Sequence, residues 1–228
     1  LLDEAQEVMR GVTVGSDPYS GVIKIGVCPA SLESILMEPL SILSNRHPKI
    51  RFHIMGGSFD RVVQQLRAGV VDVALGYESV FEGQPDFRRE PLPPMPTTLF
   101  VRQGHPILEI DEITTADIAK YDLVIPSGSA PYDYLWRQIY EDSGLDPNEK
   151  LYIVDYFPIV ARLVSQTNAI GVASIDYTKT RIFRSRFARV PFLESYPVAS
   201  LCCATRARWS PQPIVRAFIA ACRERMPP

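Results

Sequence analysis

Features that mark several functional classes are missing from this sequence. No apolar run approaches the roughly 20 residues that a membrane-spanning helix needs, so no contact with a membrane is predicted. The 24 basic and 26 acidic side chains leave a formal net charge of −2, whereas nucleic-acid-binding proteins carry a basic patch or stripe. A small cluster of arginines is interpreted as solvated surface in preference to a polyanion site: Arg181, Arg184, Arg186 and Arg189. The chain alone is therefore not expected to bind DNA specifically.

Cysteine is sparse, and its spacing excludes the usual cysteine-based sites. Neither a CxxC motif nor a Cys/His ligand spacing occurs, so we expect no metal site and no cofactor. Cys202, Cys203 and Cys222 lie in apolar segments, which favours buried, reduced thiols and a cytoplasmic protein. Cys28 is predicted to be the most accessible of the four cysteines.

Catalytic motifs are absent as well. His47 and His105 each precede a proline, and His53 lies in a predicted strand. The sequence contains no Gly-x-Ser-x-Gly elbow, phosphate-binding loop or HExxH motif. We therefore expect that the protein is not an enzyme.

The first twenty residues differ in pattern from the rest. Leu1, Ala5, Val8 and Val12 recur at the spacing of a helix that packs on a partner helix. The turn-forming residues 15–21 then predict a linker.

Predicted strands and helices alternate from Val22 onward, which is typical of parallel β-sheets covered by helices. The predicted strands are residues 23–27, 50–55, 70–76, 123–125, 151–155, 169–174 and 198–204. The predicted helices contain residues 32–43, 62–66, 132–140, 159–164 and 214–222.

Two series of these elements predict an α/β fold with two lobes and a ligand cleft between them. The proline-rich run Pro91–Pro96 is interpreted as the break between the two series, and Thr97–Arg102 as an extended crossover between lobes. Thr114 and Asp117 are spaced as a capping box that begins a helix.

Five short segments carry a family resemblance. They are IKIGV at 23–27, NRHPKI at 45–50, LRAGVVDVALG at 66–76, LFVRQGHPI at 99–107 and IGVA at 170–173. Together they resemble the effector-binding domain of LysR-type transcription regulators, in the family's order, and the resemblance covers Val22 to Met226. The third segment is similar to the family pattern Leu-x-x-Gly-x-x-Asp-x-x-apolar-Gly.

The resemblance implies a fold like that of type 2 periplasmic binding proteins and a small-molecule effector bound between the lobes. It also implies a homodimer or homotetramer that engages promoter DNA only through an N-terminal winged helix-turn-helix missing from this chain. On this basis residues 1–20 are assigned to the end of the linker helix and hinge, 21–100 plus 196–228 to lobe I, and 101–195 to lobe II. The alternative is a periplasmic solute-binding protein of a transporter, which could share the fold.

Three turns that precede predicted helices are candidate effector contacts, because helix N-termini supply free backbone N–H groups. The family resemblance places them at the cleft. Their residues are Ala30 and Ser31, Gly57 and Ser58, and Ser127, Gly128 and Ser129. The alternative is that these serines only cap helices.

Four further residues are candidates for the same cleft. Tyr156 and Phe157 follow a predicted strand and could stack on a ring, although they could equally belong to the core of lobe II. Arg102 could hold a carboxylate by two parallel hydrogen bonds, with solvated surface as its alternative, and Ser174 is a weaker candidate. The expected effector is a carboxylate or an aromatic metabolite. Its identity is not carried over, because the sequence departs from the family pattern at Gly56 and at Ser174–Asp176.

Overall fold

Two five-stranded sheets organise the residues that the computed structural model describes, which are 17–28, 33–126, 132–192 and 198–224. In chain order the elements are β1 (Gly21–Cys28), α1 (Glu33–Arg46), β2 (Ile50–Gly56), α2 (Phe59–Arg67), β3 (Val73–Tyr77), α3 (Glu78–Phe81), β4 (Phe87–Met95), β5 (Thr97–Arg102), a 3-10 turn (Pro106–Glu109), α4 (Thr115–Ile118), β6 (Leu123–Ile125), α5 (Tyr132–Glu141), α6 (Pro147–Lys150), β7 (Leu151–Ile153), α7 (Phe157–Gln166), β8 (Ile170–Ser174), α8 (Ile175–Thr178), α9 (Arg181–Arg186), β9 (Phe187–Arg189), β10 (Ala199–Arg206) and α10 (Pro213–Glu224).

Each sheet is built around parallel strands, as the alternating sequence predicts. In lobe I the strand order is β2-β1-β3-β10-β4, and β1 is parallel to β2 and β3. In lobe II the order is β7-β6-β8-β5-β9, and β6 is parallel to β7 and β8. β10 and β5 are antiparallel to their neighbours. The two-lobed α/β fold expected from the sequence is confirmed.

The chain changes lobes at Pro96, between the end of β4 and the start of β5. The predicted boundary after residue 100 falls inside β5. Thr97–Arg102 is therefore not a free crossover but a strand of lobe II, hydrogen-bonded to β8 and β9. The chain is back in lobe I at Ala199, where β10 begins.

The proline-rich segment holds a strand that the sequence pattern does not reveal. β4 contains Pro91, Pro93 and Pro94 and pairs with β10 along one side only, since it is the edge strand of lobe I. Proline lacks a backbone N–H, and an edge strand tolerates this because only one of its sides needs partners. The second series of elements does begin after this run, at Thr97, as predicted, but the sequence pattern did not predict that the run itself forms a strand.

Alternate residues of the central strands pack on opposite faces of each sheet. In β3, Leu75 shares a core with α1 and α10, whereas Ala74 shares one with α2. In β6, Leu123 packs with residues of α5 and Val124 with residues of α7. Helices therefore cover both faces of both sheets, which leaves the ends of the strands as the place for a site.

The segment LRAGVVDVALG holds lobe I together. Asp72 joins β1 to this segment, because its carboxylate accepts a hydrogen bond from the Lys24 N–H at 2.9 Å and its own N–H donates to the Lys24 carbonyl at 2.8 Å. The Arg206 guanidinium donates to the carbonyls of Leu66 at 3.1 Å and Val71 at 2.9 Å. The N–H groups of Val70 and Val71 both donate to the Gln65 carbonyl, at 2.9 and 3.3 Å, and β3 begins at Val73 and not at residue 70 as predicted.

The predicted capping box is present at the start of α4. The Asp117 carboxylate accepts from the Thr114 N–H at 3.0 Å, and the Thr114 hydroxyl accepts from the Asp117 N–H at 3.3 Å. The predicted helix over residues 1–12 lies outside the described residues.

Candidate functional site

A cavity of about 580 Å³ lies between the two lobes. Lobe I contributes Met37, Glu38, Tyr77 and Met95 to its wall. The described lining residues from lobe II are Thr97, Val124, Pro126, Val154, Phe157, Val160, Val172, Ala173, Ser174, Asp176, Tyr177 and Thr180. Cavities of about 300–1,000 Å³ are the usual size for binding small organic molecules.

The carboxyl ends of parallel strands place several of these residues. Tyr77 ends β3 and Ser174 ends β8, while Pro126 directly follows β6 and Val154 directly follows β7. Ligands of α/β folds bind at this edge of the sheet, because the loops and helix N-termini that follow the strands converge there. The cavity therefore has the position expected of a ligand site.

The interior of the cavity is apolar and partly aromatic. Val124 and Val160 form buried parts of its wall. The rings of Phe157 and Tyr177 meet edge to face with their centroids 4.9 Å apart. Tyr77 lines the lobe I side. Such a wall suits a ring or a branched apolar group.

Hydroxyl groups supply the neutral polar part of the wall. The Ser174 hydroxyl accepts a hydrogen bond from the Tyr177 N–H at 3.2 Å and so caps α8. This bond uses an acceptor position, and the Ser174 O–H can still donate to a ligand. Thr180 donates to the Tyr177 carbonyl at 2.8 Å and accepts from the Phe183 N–H at 3.2 Å.

The charged groups of the described wall are both acidic. Glu38 lies on α1 of lobe I and Asp176 on α8 of lobe II. Asp176 pairs with the exposed Lys179 amine at 2.8 Å. None of the described lining residues is Lys, Arg or His.

Two of the predicted site residues line the cavity, Phe157 and Ser174. Tyr156 precedes α7, is 56% exposed and is not among the described lining residues. Gly57 donates its N–H to the Val27 carbonyl at 3.2 Å, and Ser58 stands at the N-cap of α2 without a side-chain cap bond. Neither of these two residues lines the cavity.

Arg102 lies at the far end of β5 from Thr97, the residue of that strand that lines the cavity. Its guanidinium donates to Asn168 Oδ1 at 2.8 Å and to the carbonyls of Gln103 at 3.0 Å and Gly104 at 2.9 Å. This geometry gives no support to a contact between Arg102 and an effector.

Five predicted contacts fall outside the described residues. They are Ala30, Ser31, Ser127, Gly128 and Ser129. Their predicted role in the site stays a prediction.

Several lining residues were not predicted from the sequence. Tyr77 directly follows a predicted strand, and Asp176 and Tyr177 come two and three residues after Ser174, so their position after a strand was an available signal. Met37 and Met95 had no such signal, since one lies within a helix and the other in the proline-rich strand β4.

All four cysteines are buried and unpaired by disulfides. Burial raises the pKa of Cys28 to about 12, with Cys202 and Asp155 adding to the effect. The prediction that Cys28 is the accessible thiol is therefore wrong, whereas the buried, reduced state predicted for Cys202, Cys203 and Cys222 is confirmed. Cys28 ends β1, and all of its side chain lies within the core shared with α2.

The part of the chain that the structure describes contains neither a cluster of metal ligands nor a membrane-spanning helix. In that part, no three or more His, Cys, Asp or Glu side chains are grouped as metal ligands. None of the helices in the same ranges has the length and apolar character needed to cross a membrane.

Two lobes of α/β structure enclosing a mainly apolar cavity at their strand ends define a domain of the ligand-binding type. The chain belongs to the LysR substrate binding domain family, which it matches over residues 16–227.

Its relatives include larger proteins. The HTH-type transcriptional regulator GalR of Pseudomonas putida is 23% identical over 191 residues, which are 84% of this chain and 46% of GalR. The HTH-type transcriptional regulator CysB of Haemophilus influenzae is 25% identical over 152 residues, 65% of this chain and 46% of CysB. The chain thus spans about half the length of the curated relatives it matches.

Solved structures share the fold. A reduced form of OxyR from N. meningitidis superimposes with a TM-score of 0.72 at 19% identity, covering 90% of this chain and 95% of that one. The BenM effector binding domain with its effector benzoate gives a TM-score of 0.66 at 19% identity, covering 89% and 90%. At these identities the likeness establishes the two-lobed architecture.

Proposed function

We propose that this chain is the effector-sensing domain of a bacterial LysR-type transcription regulator. A small molecule binds in the cavity between the lobes, and its binding controls how a winged helix-turn-helix of the whole protein engages promoter DNA. The cavity of about 580 Å³ at the strand ends is the observation that carries this proposal. The names and the greater length of the relatives GalR and CysB support the link to DNA.

The mechanism is a shift in population between arrangements of the lobes. A ligand that contacts both lobes binds more tightly when they are close together, and it therefore stabilises the closed arrangement. The lobes are joined at Pro96 and through the segment between Arg189 and Ala199, which are the places where the chain changes sheets. A hinge at Pro96 would carry the change to the rest of the protein.

The proposed contacts are Phe157 and Ser174 in lobe II and Tyr77 in lobe I, because these residues line the cavity. The turns that contain Ser31 and Ser129 stay predicted contacts. The effector has an aromatic or branched apolar body, which fits the wall at Phe157. The domain has no catalytic role, acts in the cytoplasm, and works within a homodimer or homotetramer.

The solute-binding protein of a transporter, the alternative that the sequence left open, has no support from the family match or from the relatives. It would share the fold, and fold alone does not separate the two functions.

A ligand screen by thermal shift tests the proposal. A compound at 100 times its dissociation constant stabilises its receptor by about 2.7 kcal/mol, which in a domain of this size raises the melting temperature by roughly 5–10 °C. Compounds that meet this threshold are then tested by calorimetry.

Two matched variants locate the binding site. Val154→Trp places a large ring at a lining position, whereas Ile153→Trp places it at the neighbouring residue, which is 48% exposed and does not line the cavity. We expect the first variant to abolish binding and the second to bind as the parent does, with both folded by circular dichroism. Undiminished binding by a folded Val154→Trp variant contradicts the proposal.

A further inference from the structure

Arginines are concentrated on α9 and β9 of lobe II. Four of them occur within the nine residues 181–189, and the sequence has no Asp or Glu between Asp176 and Glu194. All four are exposed, and none of them takes part in an ion pair among the described residues. We call this surface the arginine patch, and its members are Arg181, Arg184, Arg186 and Arg189.

Buried aromatic rings hold the arginine patch in place. Phe183 and Phe187 are 2% and 1% exposed and pack with Phe100 in the core of lobe II. Because these two rings point into the core, Arg184 and Arg186 between them are left on the outside. The Arg186 guanidinium also lies 6.0 Å from the centre of the Phe187 ring. The patch is therefore carried by elements that the core fixes, as a binding surface requires.

The end of β5 adds a further positive charge to the patch. The Gln103 N–H donates to the Arg186 carbonyl at 3.2 Å, and its side-chain amide donates to the carbonyls of Arg184 at 3.3 Å and Phe187 at 2.7 Å. These bonds bring Arg102, the residue before Gln103, to the end of α9. The described acceptors of the Arg102 guanidinium are oxygens of neutral groups, so its charge is not cancelled.

Positive charge at this end of lobe II contrasts with the net charge of −2 of the chain. Neighbouring charges of one sign repel each other, and an anionic partner relieves that repulsion. A guanidinium group binds a phosphate through two parallel N–H···O bonds. Several arginines spread over a helix and a strand therefore suit a row of phosphates better than one small anion.

We propose that the arginine patch binds the phosphate backbone of duplex DNA without reading its sequence. This inference rests on the proposed function, which places promoter DNA beside the whole regulator, and it replaces the interpretation of these arginines as solvated surface. Backbone contacts position a protein on DNA and carry no sequence information directly. Lobe II, which supplies most of the described cavity wall, would thereby be tied to the DNA itself.

Fluorescence anisotropy with two labelled 20-base-pair duplexes of unrelated sequence tests the proposal on the 228-residue chain without a ligand. The two duplexes should bind equally, with dissociation constants of about 10⁻⁴ M at low salt, as for weak non-specific binding. Two or three phosphate contacts should give a slope of roughly −2 to −3 when the logarithm of the binding constant is plotted against that of the salt concentration.

Two double variants of matched charge locate the contact. Arg184→Glu with Arg186→Glu should weaken DNA binding by at least about tenfold and flatten the salt slope by about 2. Arg88→Glu with Arg208→Glu is the control, because it changes the net charge equally at two exposed arginines of lobe I. The control should weaken binding by no more than about threefold and leave the slope unchanged.

Thermal unfolding checks that each variant is folded. Arg184→Gln with Arg186→Gln removes the same two charges without reversing them, and it replaces the glutamate pair if that pair does not fold. It should weaken binding by about tenfold and flatten the slope by the same amount.

Several outcomes overturn the proposal. They are failure of the parent chain to bind DNA at low salt, equal losses in the patch and control variants, and a preference for one duplex over the other. Binding to poly-L-glutamate as tight as binding to DNA, and lost in the patch variant, also overturns it, since that result assigns the patch to an acidic protein. Because no effector is present, failure here leaves the Val154→Trp test of the proposed function intact, and failure of that test leaves a positive DNA result standing.

Discussion

The ring of Phe157 meets Tyr177 edge to face at 4.9 Å in the cavity wall and also packs on Phe100 of the lobe II core at 6.1 Å. Phe100 in turn contacts Phe187 at 5.1 Å. The wall of the cavity is therefore continuous with the core, and its shape depends on how the core is packed.

Replacing Phe157 should affect both stability and binding. Phe157→Ala is expected to lower the free energy of unfolding by about 1–3 kcal/mol, less than for a fully buried ring, and to weaken effector binding by tenfold or more. Urea unfolding and calorimetry measure the two effects. Ile159→Ala, at an exposed position of α7, is the control and should change neither by much. Binding unchanged by Phe157→Ala would place the ring outside the effector site.

Gly171 has no room for a side chain. An added Cβ would lie 2.4 Å from Cε1 and 2.6 Å from Cζ of Phe100, its partner across β5 and β8. Gly171→Ala should destabilise the protein by about 1–3 kcal/mol, because the core must move to accept the methyl group. Combining it with Phe100→Leu should recover part of the loss, as measured by a double-mutant cycle in urea. Strict additivity of the two substitutions would contradict this steric account.

His105 makes stability depend on pH. Its Nδ1 accepts from the Ile107 N–H at 3.1 Å, and its Nε2 contacts the Asn168 carbonyl at 2.9 Å. A carbonyl only accepts, so Nε2 carries the proton and the folded ring is neutral. Burial lowers the pKa of His105 below its ordinary value of 6.5, and the charge of Arg102 acts in the same direction.

The sign of this dependence follows from proton binding. As the pH falls below 6.5, His105 takes up a proton in the unfolded chain more readily than in the folded chain. Protonation therefore favours the unfolded state, and the free energy of unfolding is highest above pH 6.5 and falls as the pH drops below that value. Urea unfolding between pH 8 and pH 5 measures the slope. The non-titrating variant His105→Asn should show a shallower decline, and an equal decline in both proteins would show that other groups cause it.

The cysteines should resist modification in the folded protein. All four are buried, and burial raises the pKa of Cys28 and of Cys202 to about 12, which removes the reactive thiolate at neutral pH. An aromatic disulfide reagent at pH 8 should react slowly with the native chain and fast with all four thiols in denaturant. A fast-reacting native thiol, identified by mass spectrometry, would show that the core around β1 and β10 opens readily.

Most elements of the fold were predictable because they are long enough for their apolar residues to show the regular spacing of a helix or a strand. β6 has the predicted bounds Leu123–Ile125, and α5 and α10 occupy the predicted helical faces. β9 and α3, α6, α8 and α9 span only three to six residues, too few for a period to emerge. β4 was missed for a different reason, since its prolines are acceptable only at the edge of a sheet, and edge position is a property of the assembled fold.

The sequence by itself determined the alternation of strands and helices, the two lobes and the family, because these depend on periodicity and on short segments such as residues 66–76. Only the tertiary structure decided which side chains share the cavity. Glu38 and Asp176 stand far apart in the chain and lie on different lobes, and nothing in the local pattern around either one predicts that they line the same cavity. Arg102 is the opposite case, a residue that was predicted to line the cavity and does not. The chain enters the sheet of lobe II at Thr97, so Thr97 lies at the cavity and Arg102 lies at the other end of β5. A cavity is formed by the ends of strands from two separate sheets, and the register and order of those strands are set by long-range packing.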